Sequence, residues 1–93
     1  MKYQVFFTIK AKKELDKLSF PDQKKLTKAI DLLEKNPTPA IKNFRPLTGY
    51  DNLFRLRAGD LRIIYSIDRQ KKQIIVEKVG KRNERLYKLL SKR

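Results

Sequence analysis

A chain of 93 residues has room for one domain with one core, because a body this small buries only about two-thirds of the surface its unfolded chain exposes. It carries 24 Lys and Arg against 10 Asp and Glu, a net charge of +14, with no histidine and no cysteine. A disulfide framework, thiolate nucleophiles, cysteine-based zinc sites and the usual neutral-pH base are thereby excluded, and any chemistry falls to cations and phenols.

In chain order, Tyr3, Val5 and Phe7 alternate with Gln4 and Phe6, the period of a short strand with a buried face. The apolar run at 5–7 is too short for a signal sequence or a membrane span, so the chain reads as cytoplasmic. Thr8 can cap a helix in which Ala11, Leu15 and Leu18 form an apolar stripe and lysines, Lys12 among them, fill the other side, giving about three turns. Ser19, Pro21 and Asp22 mark a second helix start. Leu26, Ala29, Ile30 and Leu33 are its stripe, with Lys25 on the polar side, and Asn36, Pro37 and Pro39 end it. Two helices joined so closely form a hairpin.

After Pro39 the period changes from 3.6 to 2. Residues 44–47 fit either a short edge strand ended by Pro46 and Gly49 or a loop. Residues 53–57 place Phe54 and Leu56 on one face and Arg55 and Arg57 on the other. Ala58, Gly59 and Asp60 make the turn, and 61–67 return with Arg62, Ile64 and Ser66 opposite Ile63, Tyr65 and Ile67. A polar turn at 69–72 leads into a strand at 74–79 that Gly80 stops, and 83–90 has the pattern of a terminal helix seated by Leu86, Leu89 and Leu90. The expected architecture is one α+β domain over residues 1–93: an N-terminal strand, a helical hairpin on one sheet face, an antiparallel meander of three to four strands, and a short C-terminal helix.

With helices on one face, Arg55, Arg57 and Arg62 gather on the other, and Lys81 and Arg82 follow the last strand. Residues 55–93 hold most of the positive excess, with only Asp60, Asp68, Glu77 and Glu84 against it. Polar alternation alone describes any solvated sheet face. Several cations converging without as many carboxylates repel one another, and a phosphate polymer offsets that cost. Tyr65, in phase with Ile63 and Ile67, belongs to the core, whereas Tyr87 has the reach to place its ring or phenol by the basic groove.

Residues 53–65, the strand at 74–79, the Gly80-Lys81-Arg82 corner and Tyr87, preceded by the helical hairpin, together resemble the RelE/ParE toxin family over nearly the whole chain. Two functional classes exist within that resemblance. RelE-like members are ribosome-dependent endoribonucleases that cut mRNA; ParE-like members poison DNA gyrase. A basic RNA-binding module is the remaining alternative. The RelE-like reading implies Arg55 and Arg62 around the scissile phosphate, Arg82 where the leaving group is protonated, and Tyr87 orienting or stacking the substrate. Where RelE itself has a lysine, two residues before the position of Arg55, this chain has Leu53. Lys81 and Tyr87 are then the candidate bases, since nearby positive charge favours neutral lysine and anionic tyrosine. Arg57, Lys12 and Lys25 are expected to meet RNA phosphates. The resemblance further implies a cognate antitoxin, the ribosome and mRNA as partners, and no cofactor, metal or membrane.

Overall fold

The computed structural model describes residues 2–39 and 43–81. The chain runs β1 (Gln4–Phe7), α1 (Ile9–Asp16), α2 (Phe20–Lys35), β2 (Phe44–Pro46), β3 (Phe54–Ala58), β4 (Leu61–Asp68) and β5 (Gln73–Lys81). Both expected helix caps are made. Thr8 Oγ1 accepts from the Ala11 N–H at 3.0 Å and Ser19 Oγ from the Asp22 N–H at 3.3 Å, each satisfying a donor that the first turn leaves without a helical acceptor. α1 is shorter than its apolar stripe suggests, ending at Asp16. The chain reverses between Lys17 and Ser19, and the Gln23 side chain donates back to the Leu15 and Leu18 carbonyls, fixing the hairpin.

The strands form one sheet in the order β1-β5-β4-β3-β2. The four later strands are antiparallel neighbours, as an α+β meander requires, and β1 joins the outer side of β5 in parallel, Val5 opposite Ile74 and Phe7 opposite Val76. The helical hairpin is the crossover that lets β1 and β5 run in the same direction. Residues 44–46 are the edge strand rather than loop, with Pro46 tolerated at the edge. The β3–β4 turn is a two-residue hairpin with Gly59 at φ +64, the left-handed backbone that a II′ turn asks of its first residue.

Contrary to the sequence expectation, Gly80 does not stop β5. It continues the ladder opposite Arg62, and the strand runs to Lys81. A bulge interrupts the β4–β5 register: Tyr65 faces Val76 but Ile64 faces Lys78, leaving Glu77 as the extra residue. The expected helix at 83–90 lies outside the described residues, and among these no helix is long and apolar enough to cross a membrane.

Ala11, Leu26 and Leu33 of the helices pack on Leu56, Leu61, Ile63, Tyr65, Ile67, Ile74, Val76 and Val79 of the sheet. Tyr65 is fully buried, as its phase predicts, and its hydroxyl donates to the Pro37 carbonyl at 2.6 Å, tying the segment after α2 to the sheet. Burial raises the Tyr65 phenol above its ordinary value. Tyr65→Phe should therefore cost about 1–2 kcal/mol in denaturant unfolding, the worth of a buried hydrogen bond whose acceptor is left unsatisfied. Because the folded phenol resists ionisation, its contribution is intact below the unfolded value of about 10 and lost as pH rises toward the folded one. The variant should show a shallower alkaline loss of stability than the wild type.

A candidate nucleic-acid face on the sheet

The face away from the helices is organised by strand register. Arg57 lies opposite Arg62, and Arg62 opposite Gly80; one step along, Arg45 lies opposite Arg55, Arg55 opposite Ile64, and Ile64 opposite Lys78. Facing residues on neighbouring antiparallel strands have Cβ atoms roughly 5 Å apart, and rows two residues apart are separated by about 6.5–7 Å. Like charges on facing strand positions disfavour one another, and an anion bridging Arg57 and Arg62 would lower that cost.

Arg45 on the edge strand is exposed, but the other three arginines are held rather than splayed into solvent. Arg55 is 7% exposed and Arg62 9%, while Arg57 is half-buried with an Nε that has no hydrogen-bond partner among the described residues. Planar guanidinium groups ordered in this way can donate several hydrogen bonds to phosphate oxygens in fixed geometry. Gly80, opposite Arg62, has no side chain, so that end of the row presents only backbone on β5.

The sequence pattern brings Arg55, Arg57 and Arg62 together, and the structure adds Arg45, hidden in a segment that reads equally as loop. It also adds a cover that the pattern did not show. Leu53 and Ile64 are buried under Leu47 and Tyr50 on this same face. The signal was present: Ile64 is an apolar residue in the polar phase of β4, between Arg62 and Ser66.

Other expected residues lie elsewhere. Lys81 is in phase with Val79, and its ammonium sits 3.4 Å from the carboxylate of Asp22 at the start of α2, on the helix side and away from the arginine rows. Lys12 is on exposed α1, paired with Asp16 at 3.2 Å, and Lys25 of α2 lies by the β3–β4 turn, 4.0 Å from Asp60. Both belong to the helical layer and do not join the arginine face. Arg82 and Tyr87 lie outside the described residues.

Lys78 is the second feature absent from the sequence reading. Its side chain is 2% exposed, and its ammonium is held by Glu14 of α1 at 2.5 Å; the same carboxylate accepts from the Val79 N–H at 3.1 Å. β1 ends opposite Val76, so Glu14 occupies the edge of β5 that β1 leaves uncovered. Among the described residues no three His, Cys, Asp or Glu side chains are grouped as metal ligands.

Comparison with known proteins gives these features a family. The sequence model of the ParE toxin of type II toxin-antitoxin systems, parDE, matches residues 5–86. A relative from Methanocaldococcus jannaschii that carries the name RelE1 is 33% identical over 89 residues, 95% of this chain and 98% of its own length. Among solved structures, the archaeal RelE-RelB complex from Pyrococcus horikoshii contains a similar chain with a TM-score of 0.76 and 31% identity, covering 89% of this chain and 98% of that one. A mutant of the E. coli toxin RelE in the free state has a TM-score of 0.79 at 26% identity, over 99% and 97% of the two chains. Fold and sequence thus agree over most of the molecule, and the chain belongs to the RelE/ParE family of toxins of type II toxin-antitoxin systems.

Proposed function

We propose that this toxin is a ribosome-dependent endoribonuclease that cleaves mRNA by attack of the neighbouring 2′-OH on the scissile phosphate. The observation that carries the reading is the in-register arginine face, in which Arg55, Arg57 and Arg62 occupy adjacent positions, Arg55 and Arg62 buried and Arg57 half-buried. Such a reaction needs in-line geometry, charge stabilisation on the phosphorane, and proton transfer at both ends. Arg55 and Arg62 stabilise the phosphorane, and Arg57 holds a neighbouring phosphate. Arg82 protonates the leaving oxygen and Tyr87 orients or stacks a base, both roles carried over from the family.

Guanidinium stays protonated in proteins and so cannot be the base. Lys81 and Tyr87 are the candidate bases; Lys81 pairs with Asp22 on the other side of the sheet, and this favours the phenol of Tyr87. A weak base suffices where the ribosome supplies alignment, since orientation alone can contribute roughly 7–11 kcal/mol. Lys12 and Lys25, on the helical layer, meet ribosomal RNA phosphate. The protein then works in the cytoplasm, and a cognate antitoxin neutralises it, as the RelB partner in the Pyrococcus horikoshii complex suggests. The charge favours an acidic or amphipathic antitoxin segment.

Gyrase inhibition is the second reading, favoured by the ParE description of the matching family. Toeprinting of translated mRNA beside a gyrase-dependent DNA cleavage assay decides between them. Expected are cuts in translated mRNA, far slower cutting of free RNA, and no gyrase-linked DNA breaks. DNA breaks with intact mRNA, or equal rates on free and translated RNA, would overturn the proposal.

A further inference from the structure

The arginine face changes character along its strands. Two residues before Arg55 stands Leu53, two beyond Ile64 stands Ser66, and next to Lys78 stands Glu77, so one step past the arginine rows the face offers no cation at these positions. A cavity of about 330 Å³ opens there, lined by Tyr50, Asp51, Asn52, Leu53, Ser66 and Glu77. Its walls differ in kind. Tyr50 and Leu53, packed over Ile64, form an apolar side. Asp51 and Glu77 supply carboxylate acceptors. The Asn52 amide nitrogen donates to the Ile67 carbonyl at 2.8 Å, which leaves its oxygen as a further acceptor.

The β5 bulge makes this wall. As the extra residue, Glu77 stays on the Ser66 side, where Oε2 accepts from Ser66 Oγ at a long 3.4 Å; an ionised carboxylate has about four acceptor positions, so this contact leaves most of its capacity open.

We infer that this cavity is a nucleobase subsite selecting bases that carry an exocyclic amino group. The inference rests on the reading that the arginine face binds RNA. A nucleotide is itself two-ended, with an anionic phosphate and a base presenting a π-face and a hydrogen-bonding edge, and the face has matching ends one row of about 6.5–7 Å apart. Adenine, cytosine and guanine offer amino donors on their Watson–Crick edges. Uracil offers one imino donor between two carbonyl oxygens, which carboxylates repel. Tyr50 supplies an aromatic surface for the ring, the sequence-tolerant part of the contact.

The test uses non-cleavable 2′-O-methyl oligonucleotides and the purified toxin, with binding read by fluorescence anisotropy. The probes are a uridine hexamer, the same hexamer with central adenosines, and one with purine riboside at those positions, which keeps the ring system but lacks the amine. Adenosine should bind about tenfold tighter than purine riboside, the effect of one hydrogen bond to a charged acceptor. Removing both carboxylates together, Asp51→Ala with Glu77→Ala, should cut that difference to about twofold or less while overall affinity holds or rises, because negative charge is removed. Ser66→Ala should preserve it, because the carboxylate remains. Equal binding of adenosine and purine riboside, or a difference undiminished when both carboxylates are removed, overturns the inference and leaves the RNA-binding reading standing. Absence of binding to every probe at low salt overturns both. If a basic peptide occupies the cavity instead, no base dependence appears and the first of these outcomes is seen.

Discussion

Replacing Arg62 with alanine should lower single-turnover cleavage of ribosome-bound mRNA by on the order of a hundredfold or more, the usual consequence of removing a preorganised donor aimed at developing charge. Arg62 sits at the centre of its row, opposite Arg57 on one side and Gly80 on the other, and is 9% exposed. On the proposed mechanism, a guanidinium held by burial before substrate arrives would strengthen its interaction as phosphorane charge develops and would cost little reorganisation. Ribosome affinity, spread over many surface lysines, should change little. Arg62→Lys keeps the charge but loses the planar fork, and should recover only part of the rate. Thermal melting of both variants guards against a simple loss of folding, since the arginine stem is buried. If Arg62→Ala bound less tightly but cut at the wild-type rate once bound, Arg62 would be a docking residue and the catalytic assignment would move to Arg55.

The contrast between what local pattern reveals and what it hides is clear on this face. Arg55, Arg57 and Arg62 were legible because a period of two fixes which side chains share a face, and the turn around Gly59 fixes which arginines meet. The helix caps at Thr8 and Ser19 were legible for the same local reason. The parallel pairing of β1 with β5 was not, because no local period encodes a partner some 70 residues away. Nor was the bulge read, although it left a trace: the core-facing residues of β5 are Ile74, Val76 and then Val79, and that step of three in a period of two is the mark of one extra residue. Because of that step Lys81 shares the core phase with Val79, whereas Glu77 stays on the Ser66 side. Lys78, a cation within an apolar strand, reads as a solvated alternation until the acid that reaches it from α1 is seen.

That acid sets the largest expected effect on stability. Glu14→Ala should destabilise the protein by about 3–5 kcal/mol, because it leaves the Lys78 ammonium buried without its carboxylate and removes the acceptor of the Val79 N–H. The cost should exceed that of Lys12→Ala or Lys25→Ala by several-fold, since those lysines make exposed pairs worth about 0–1 kcal/mol. The pair itself need not be a net source of stability, as two charges must be desolvated to form it. Lys78→Met in the Glu14→Ala background should therefore recover much of the loss, leaving mainly the unsatisfied Val79 N–H, about 1–3 kcal/mol. Urea unfolding of the two single variants and the double variant measures this coupling directly. Additive losses would mean that Glu14 acts on the fold chiefly through the Val79 N–H at the β5 edge. Recovery would instead identify the buried ammonium as the group that makes Glu14 necessary, and would explain why an acidic residue of α1 stands beside the part of β5 that β1 leaves uncovered.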